Sequence, residues 1–150
     1  MSEQEILTQC QTDKIEKIVV GGIIISNNTC LCLKRESSDF MGDLVELPSG
    51  GKEEDESIYE SLIREIQEET GILLNLESRF DFISAFDYIS GSGKKARQLS
   101  YAIKLNQIPS VKLNLTEHTE YYWLTIDDLK NYNISNETKK VIVKALIANP

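Results

Sequence analysis

The sequence predicts an α/β sandwich built on a central mixed β-sheet, and three observations carry that prediction. β-Branched, largely apolar stretches recur between residues 14 and 126, punctuated by turn residues as strands are. One strongly periodic helical segment, Ile58 to Thr70, interrupts them. It opens after Gly50-Gly51 and closes at Gly71, where a helix C-terminus favours glycine. A second amphipathic helix, Asn136 to Ala148, follows the last strand. At 150 residues the chain has the size of one domain, enough to bury about two thirds of its unfolded surface, so residues 1–150 read as a single domain.

Each element has its own reason. Residues 1–13 carry little pattern and are expected to be a frayed or loosely docked end. From Lys14 to Ser26 the residues Ile15, Ile18, Val19, Val20, Ile23, Ile24 and Ile25 describe a strand, and Gly21-Gly22 within it suggests a bulge or a close backbone approach. Asn27-Asn28 suits a hairpin turn, with Thr29 to Lys34 as its return strand. Arg35 ends that strand beside a loop from Glu36 to Asp43, and Leu44 to Leu47 is a short strand leading to Pro48 and a tight Gly50-Gly51 loop. Beyond the central helix, Ile72 to Leu76 and Phe80 to Tyr88 read as extended chain, and residues 91–95 as a flexible basic turn. Arg97 to Leu105 alternates Leu99, Tyr101, Ile103 and Leu105 with polar neighbours, the period of a half-buried strand. Gln107 to Thr119 is loop-like, Tyr121 to Ile126 is a strand, and Ile126-Asp127-Asp128-Leu129 reads as an N-capped short helix. Ser135 opens the last helix, whose Val141, Ile142, Ala145 and Leu146 follow 3.6-residue spacing.

Charge narrows the function classes. A net charge of −8 and a pI near 4.7 argue against a long nucleic acid partner, whose affinity comes mainly from Lys and Arg neutralising phosphates. A single nucleotide remains compatible, provided metal ions supply the positive charge. No apolar run approaches the roughly 18–20 residues of a membrane span, and residues 1–12 are too polar for a signal peptide. Cys30 and Cys32 alternate along one strand and make a poor disulfide, and no Cys/His cluster completes a zinc site, so thiols in a reducing cytoplasm are expected.

The chemistry concentrates on the central helix. At about 100° per residue, Ile58, Tyr59, Leu62, Ile63 and Ile66 fill one apolar sector, while Ser61, Arg64, Glu65 and Glu68 fill the adjoining one. Glu69 falls between Ile58 and Leu62, inside the apolar stripe. A carboxylate there is costly unless paired, and its acidic neighbours make ionisation harder. A hard divalent cation resolves the conflict by turning repulsion into shared ligation. The bland alternative is a charge-rich solvated helix.

Gly50, five residues, Glu56, seven residues, Arg64-Glu65-Ile66, one residue, Glu68-Glu69, one residue and Gly71-Ile72 together resemble the complete Nudix box. The resemblance implies a Nudix-type α/β/α sandwich and hydrolysis of a nucleoside diphosphate linked to another group, with Mg²⁺ or Mn²⁺ as cofactor. Carried over by position, it makes Glu68 and Glu69 the principal metal ligands, with Glu65 sharing ligation and the Ser49 carbonyl a further ligand. Glu56 pairs with Arg64 or binds metal through water, and Arg64 orients the glutamates; the plain reading of Arg64 is a surface partner of Glu60 or Glu68. The chemistry agrees, since phosphoanhydride hydrolysis needs negative oxygens neutralised and a water placed in line.

Relatives often carry one more glutamate before a Trp-bearing strand, here residues 121–124, which makes Glu117 the candidate for an extra ligand or general base and Glu120 the competitor. His118, the only histidine, reads as a surface residue or as a substrate contact. Arg35, Arg97 and Lys52 are candidates for phosphate, Phe82, Phe86, Tyr88 and Tyr101 for base stacking, and Asn133 or Asn136 for a purine edge. The usual Pro-Gly-Gly before the box is Pro48-Ser49-Gly50-Gly51 here, and Asp55 replaces a small residue. Residues 46–50, Glu-Leu-Pro-Ser-Gly, resemble the ELPAG form of ADP-ribose hydrolases, yet the next proline is Pro109; Tyr88 is similar to a tyrosine of dinucleoside-polyphosphate hydrolases. The expected protein is a cytoplasmic, metal-dependent pyrophosphohydrolase of a free nucleotide, first a (deoxy)nucleoside triphosphate such as an oxidised purine. ADP-ribose or another nucleoside diphosphate derivative comes second, and a non-catalytic nucleotide-binding module is the reading of a different class. The sequence does not choose between monomer and homodimer.

Overall fold

In the computed structural model, residues 1–38 and 42–150 are described. The axis of the fold is β1 (Lys17–Ser26), buried from Val19 onward because it is covered on both faces. The chain then reverses through Asn27 and Asn28, whose φ values of 50° and 61° are the left-handed pair of a type I′ turn. β2 (Thr29–Arg35) returns antiparallel but pairs with β1 only beside the turn, Ile25 with Cys30 and Ser26 with Thr29. It then diverges to pair with β3 (Val45–Glu46) and, on its other side, β7 (His118–Leu124). The edge of β1 left vacant is taken by β4 (Ser49–Gly51), with Gly21 opposite Ser49 and Val19 opposite Gly51. On the far side of β1, β6 (Lys95–Lys104) runs parallel from the Lys17–Ala96 pair to the Ile25–Lys104 pair, and β5 (Asp81–Ile89) pairs antiparallel outside it. Among the described residues these strands form one seven-stranded mixed sheet.

Two helical layers cover it. Ile58, Leu62 and Ile66 of α2 (Ile58–Thr70) pack on Val20, Ile24, Leu31, Leu33, Leu99, Tyr101 and Ile103. Val141, Ile142, Ala145 and Leu146 of α3 (Asn136–Ala148) pack on Ile23, Ile25, Cys30, Cys32 and Ala102 on the opposite face. The architecture is the α/β/α sandwich expected.

Several local expectations are corrected. Residues 1–13 are not loose: Glu3–Thr12 is a helix, α1, which we number ahead of α2. Ser2 and Glu5 form a capping box at its start, and Ile6 and Cys10 are buried. Ile6 and Cys10, with the partly buried Leu7, supply its core-facing side, so the periodicity is faint; the legible signal was Ser2 followed three residues later by Glu5. The Gly50-Gly51 loop is a strand, β4. Gly21-Gly22 makes no bulge against β6, and the close approach is the operative reading. A Cβ on Gly22 would stand 2.7 Å from Ile66 Cδ1, and one on Gly21 2.8 Å from Gln98 Nε2. β6 is buried on both faces over residues 99–103 because α3 and α2 cover opposite sides. Residues 72–76 form no strand, Leu76 lying in a turn, and the short helix is a 3₁₀ turn (Asp127–Asn131) with no side-chain cap at Ile126. Of the loop expected over 36–43, residues 39–41 lie outside the described residues.

If α1 is docked as described, Ile6→Ala removes a buried anchor and lowers unfolding free energy by about 2–4 kcal/mol in urea titration. A change indistinguishable from zero would mean that α1 contributes no packing.

Candidate active site

α2 is well specified at both ends. The Ser57 hydroxyl accepts the Glu60 N–H while the Glu60 carboxylate accepts the Ser57 N–H, and Gly71 closes the helix at φ 74°. Its apolar face must enter the core, and Glu69 lies on that face. The residue is 6% exposed, and its Oε1 accepts the Ser49 N–H of β4 at 2.7 Å. Glu65, one turn earlier, lies directly over Gly50, where any Cβ would overlap its carboxylate. Glycine there is a space requirement.

Arg64 ties the cluster together. Its Nε and Nη2 donate to Glu56 at 2.6 and 2.8 Å, Nη2 also reaches the Gly51 carbonyl at 3.0 Å, and Nη1 donates to Glu65 at 2.7 Å. Glu68, more exposed, stands 3.4 Å from Nη1. This is a bidentate pair that spans β4 and α2, well beyond a surface i,i+4 contact. The guanidinium holds the Glu56 carboxyl down at about 2, and Glu56 in return raises the Arg64 pKa.

β7, paired to β2, and its preceding loop bring Glu117 and His118. His118 is 2% exposed, which overturns its reading as a surface residue. Its Nε2 is 2.9 Å from Glu46 Oε2, and Glu46 also accepts from Arg35 Nη1 at 3.2 Å. His118 Nδ1 lies 3.8 Å from Glu69 Oε2. Glu117 is in this cluster, whereas Glu120 is turned to Lys34 and the Tyr122 hydroxyl.

Gathering acids this way has an electrostatic cost. Burial, with Glu117, Glu46 and Glu65 adding to it against the Ser49 N–H, pushes the Glu69 carboxyl up to about 9. Burial likewise raises Glu65 despite Arg64. Beside Ser49 opens a cleft of about 450 Å³, lined among others by Arg35, Phe86, Tyr88, Gln98 and Glu137.

Arg35 and Tyr88 are therefore at the cleft. Three candidates are elsewhere. Arg97 is committed to Asp87 at 2.6 Å and Asp13 at 2.8 Å, fastening α1 and β5 to β6. Lys52 donates to the Glu53 carbonyl and borders a groove with Glu16 and Lys17. Asn133 is exposed, and its backbone carbonyl accepts the Val45 N–H. Phe82 and Tyr101 pack against each other in the core. At Ser49 the donor seen is its N–H. The sequence reading gave no site role to Glu46 or Gln98; the available signals were an acid inside a short apolar strand and a polar residue opposite Val19 next to Gly21.

A NUDIX domain profile matches residues 16–145. The chain is a Nudix hydrolase. A Buchnera aphidicola subsp. Schizaphis graminum protein named 8-oxo-dGTP diphosphatase is 30% identical over 124 residues, covering 83% of this chain and 88% of that protein. An ADP-ribose pyrophosphatase of Methanocaldococcus jannaschii is 37% identical over 70 residues, 47% of this chain and 41% of that protein. Among solved structures, a MutT NUDIX hydrolase from Burkholderia pseudomallei superposes with a TM-score of 0.72 at 22% identity, covering 85% of this chain and 96% of that one. The NUDIX domain of Shewanella oneidensis NrtR, complexed with ADP ribose, gives 0.73 at 16% identity over the whole of both chains. At these identities the structures show a shared fold. Nudix hydrolases need divalent metal ions, and the donor set here fits one: oxygen ligands of one sign, crowded until one carboxyl is driven neutral.

Two outcomes test this geometry. Gly50→Ala displaces the Glu65 carboxylate and is expected to weaken Mn²⁺ binding at least about tenfold by calorimetry. Gly91→Ala, with nothing within 4 Å, leaves it unchanged. The second concerns pH. The Glu69 carboxyl rises from its ordinary 4.5 to about 9 on folding, so the folded state holds the proton more tightly. Its contribution to metal-free stability is complete below about 4.5 and is lost as pH rises through about 9. Denaturation midpoints in EDTA should fall across that window, and Glu69→Gln should flatten the fall.

Proposed function

We propose that this Nudix hydrolase is a divalent-metal-dependent pyrophosphohydrolase of a free nucleoside triphosphate, with an oxidised purine deoxynucleotide as the leading substrate. The supporting observation is the cleft beside Ser49. Its lining includes the Phe86 and Tyr88 rings and the Gln98 amide, suited to a base, and Arg35, suited to phosphate, together with Ser49, whose N–H holds Glu69. The relative named 8-oxo-dGTP diphosphatase aligns over most of both chains, which weighs toward a triphosphate.

In this reading Glu65, Glu68 and Glu69 hold the metal, with Glu117 and the Ser49 carbonyl as further ligand candidates. Bound metal supplies charge neutralisation to the phosphate oxygens. Arg64 keeps Glu65 aimed and opposes the upward push of burial on its carboxyl, and Glu56 keeps Arg64 in place. Water adds to one phosphorus of the anhydride as the bridging P–O bond breaks, a cluster carboxylate takes the water proton, and monophosphate and pyrophosphate leave. The negative surface weighs against long nucleic acid as substrate, and three free, buried cysteines suit a reducing cytoplasm.

ADP-ribose is the second reading, favoured by the Methanocaldococcus jannaschii match. A non-catalytic module is disfavoured by the intact acids Glu65, Glu68 and Glu69.

The test is a nucleotide panel with Mg²⁺, using added pyrophosphatase to separate pyrophosphate from orthophosphate. Pyrophosphate from one triphosphate is expected, with turnover cut by about two orders of magnitude or more in Glu69→Gln. AMP from ADP-ribose alone would replace the first reading with the second, and silence on every nucleotide would favour a binding module.

A further inference from the structure

His118 is placed in a way that holding a base or a phosphate does not require. Glu46 is already the acceptor of the Arg35 guanidinium, and a carboxylate only accepts, so the ring proton facing it sits on His118 Nε2. Nδ1 then presents a lone pair inward. The residue is 2% exposed, and Nδ1 has no hydrogen-bond partner among the described residues. What faces it is Glu69 Oε2 at 3.8 Å, beyond hydrogen-bond reach. One ligand atom each from Glu69, Glu117 and His118 lies within 4.8 Å of the other two. Two ligands opposite each other on a divalent ion, at bonds of about 2.0–2.2 Å, span about 4 Å, so small side-chain movements would close the set.

We propose that Glu69, Glu117 and His118 Nδ1 form a mixed nitrogen–oxygen site that takes a first-row transition ion, Mn²⁺ or a heavier neighbour, in preference to Mg²⁺. An imidazole nitrogen suits such ions, whereas Mg²⁺ favours an all-oxygen shell. Glu46 is the positioning residue: a carboxylate that holds the remote ring N–H of a ligating histidine fixes both its tautomer and its orientation. The site shares Glu69 with the box glutamates, and its coordination does not depend on which nucleotide is cleaved.

The chain has one histidine, so imidazole coordination is assignable without mutation. Pulsed electron paramagnetic resonance on wild-type protein with substoichiometric Mn²⁺ is expected to show a directly bound nitrogen whose coupling changes when histidine alone carries ¹⁵N. His118→Gln should abolish that coupling and weaken Mn²⁺ binding about tenfold or more, with Mg²⁺ affinity changed less than about threefold. Glu46→Gln should retain the coupling and still lose about tenfold in Mn²⁺ affinity. Bound Mn²⁺ without imidazole coupling in wild type would overturn the site, as would equal losses of Mn²⁺ and Mg²⁺ in His118→Gln. If His118→Gln does not fold, the wild-type spectrum decides alone. Hydrolysis without the coupling would sink this site and spare the proposed function; coupling without hydrolysis would do the reverse.

Discussion

The hydrogen bond from the Ser49 N–H to the buried Glu69 carboxyl is the contact on which the rest of the site depends. It joins the last turn of α2 to the short strand β4, and that strand exists only because β2 leaves β1 after two residue pairs. Had the hairpin stayed paired along its length, β1 would offer no edge there and the acids would have no backbone to lean on. Gly50 and Gly22 serve the same closeness: each leaves room for an α2 side chain, Glu65 in one case and Ile66 in the other.

α2 therefore does two opposed jobs with one face. Ile58, Leu62 and Ile66 drive its burial, and that burial carries Glu69 into surroundings that resist its charge. Arg64 offsets part of the cost for Glu56 and Glu65 but donates no hydrogen bond to Glu69. The molecule keeps a destabilising acid on a buried face, an arrangement that apolar packing elsewhere must sustain.

What was legible in the sequence divides along a physical line. α2 was readable because periodicity and a terminal glycine agreed, and Asn27-Asn28 announced a turn that requires two left-handed residues. That Arg64, Glu65 and Glu68 share one sector followed from helical spacing, and the pairing of Glu56 with Arg64 from the resemblance to the Nudix box. Contacts between distant segments were not legible. Glu46 meets His118 across 72 positions of sequence, and no local spacing pairs the two. Arg97 looked like a free cation because Asp13 lies 84 positions away. α1 was missed because its helix rests on a cap and on contacts made elsewhere, with too few apolar residues to show a period.

α1 also bears on where the working unit is delimited. The family profile starts at residue 16, after α1 has ended. Yet Glu3 accepts the Ile58 N–H at the first turn of α2, and Asp13 holds Arg97 of β6. A shortened version beginning at the profile boundary would leave the Ile58 N–H unpaired at the start of the helix that carries the acids, and Arg97 of β6 half-paired. The border of the family profile thus cuts through a brace, and the unit that keeps α2 seated is longer than the stretch the profile matches.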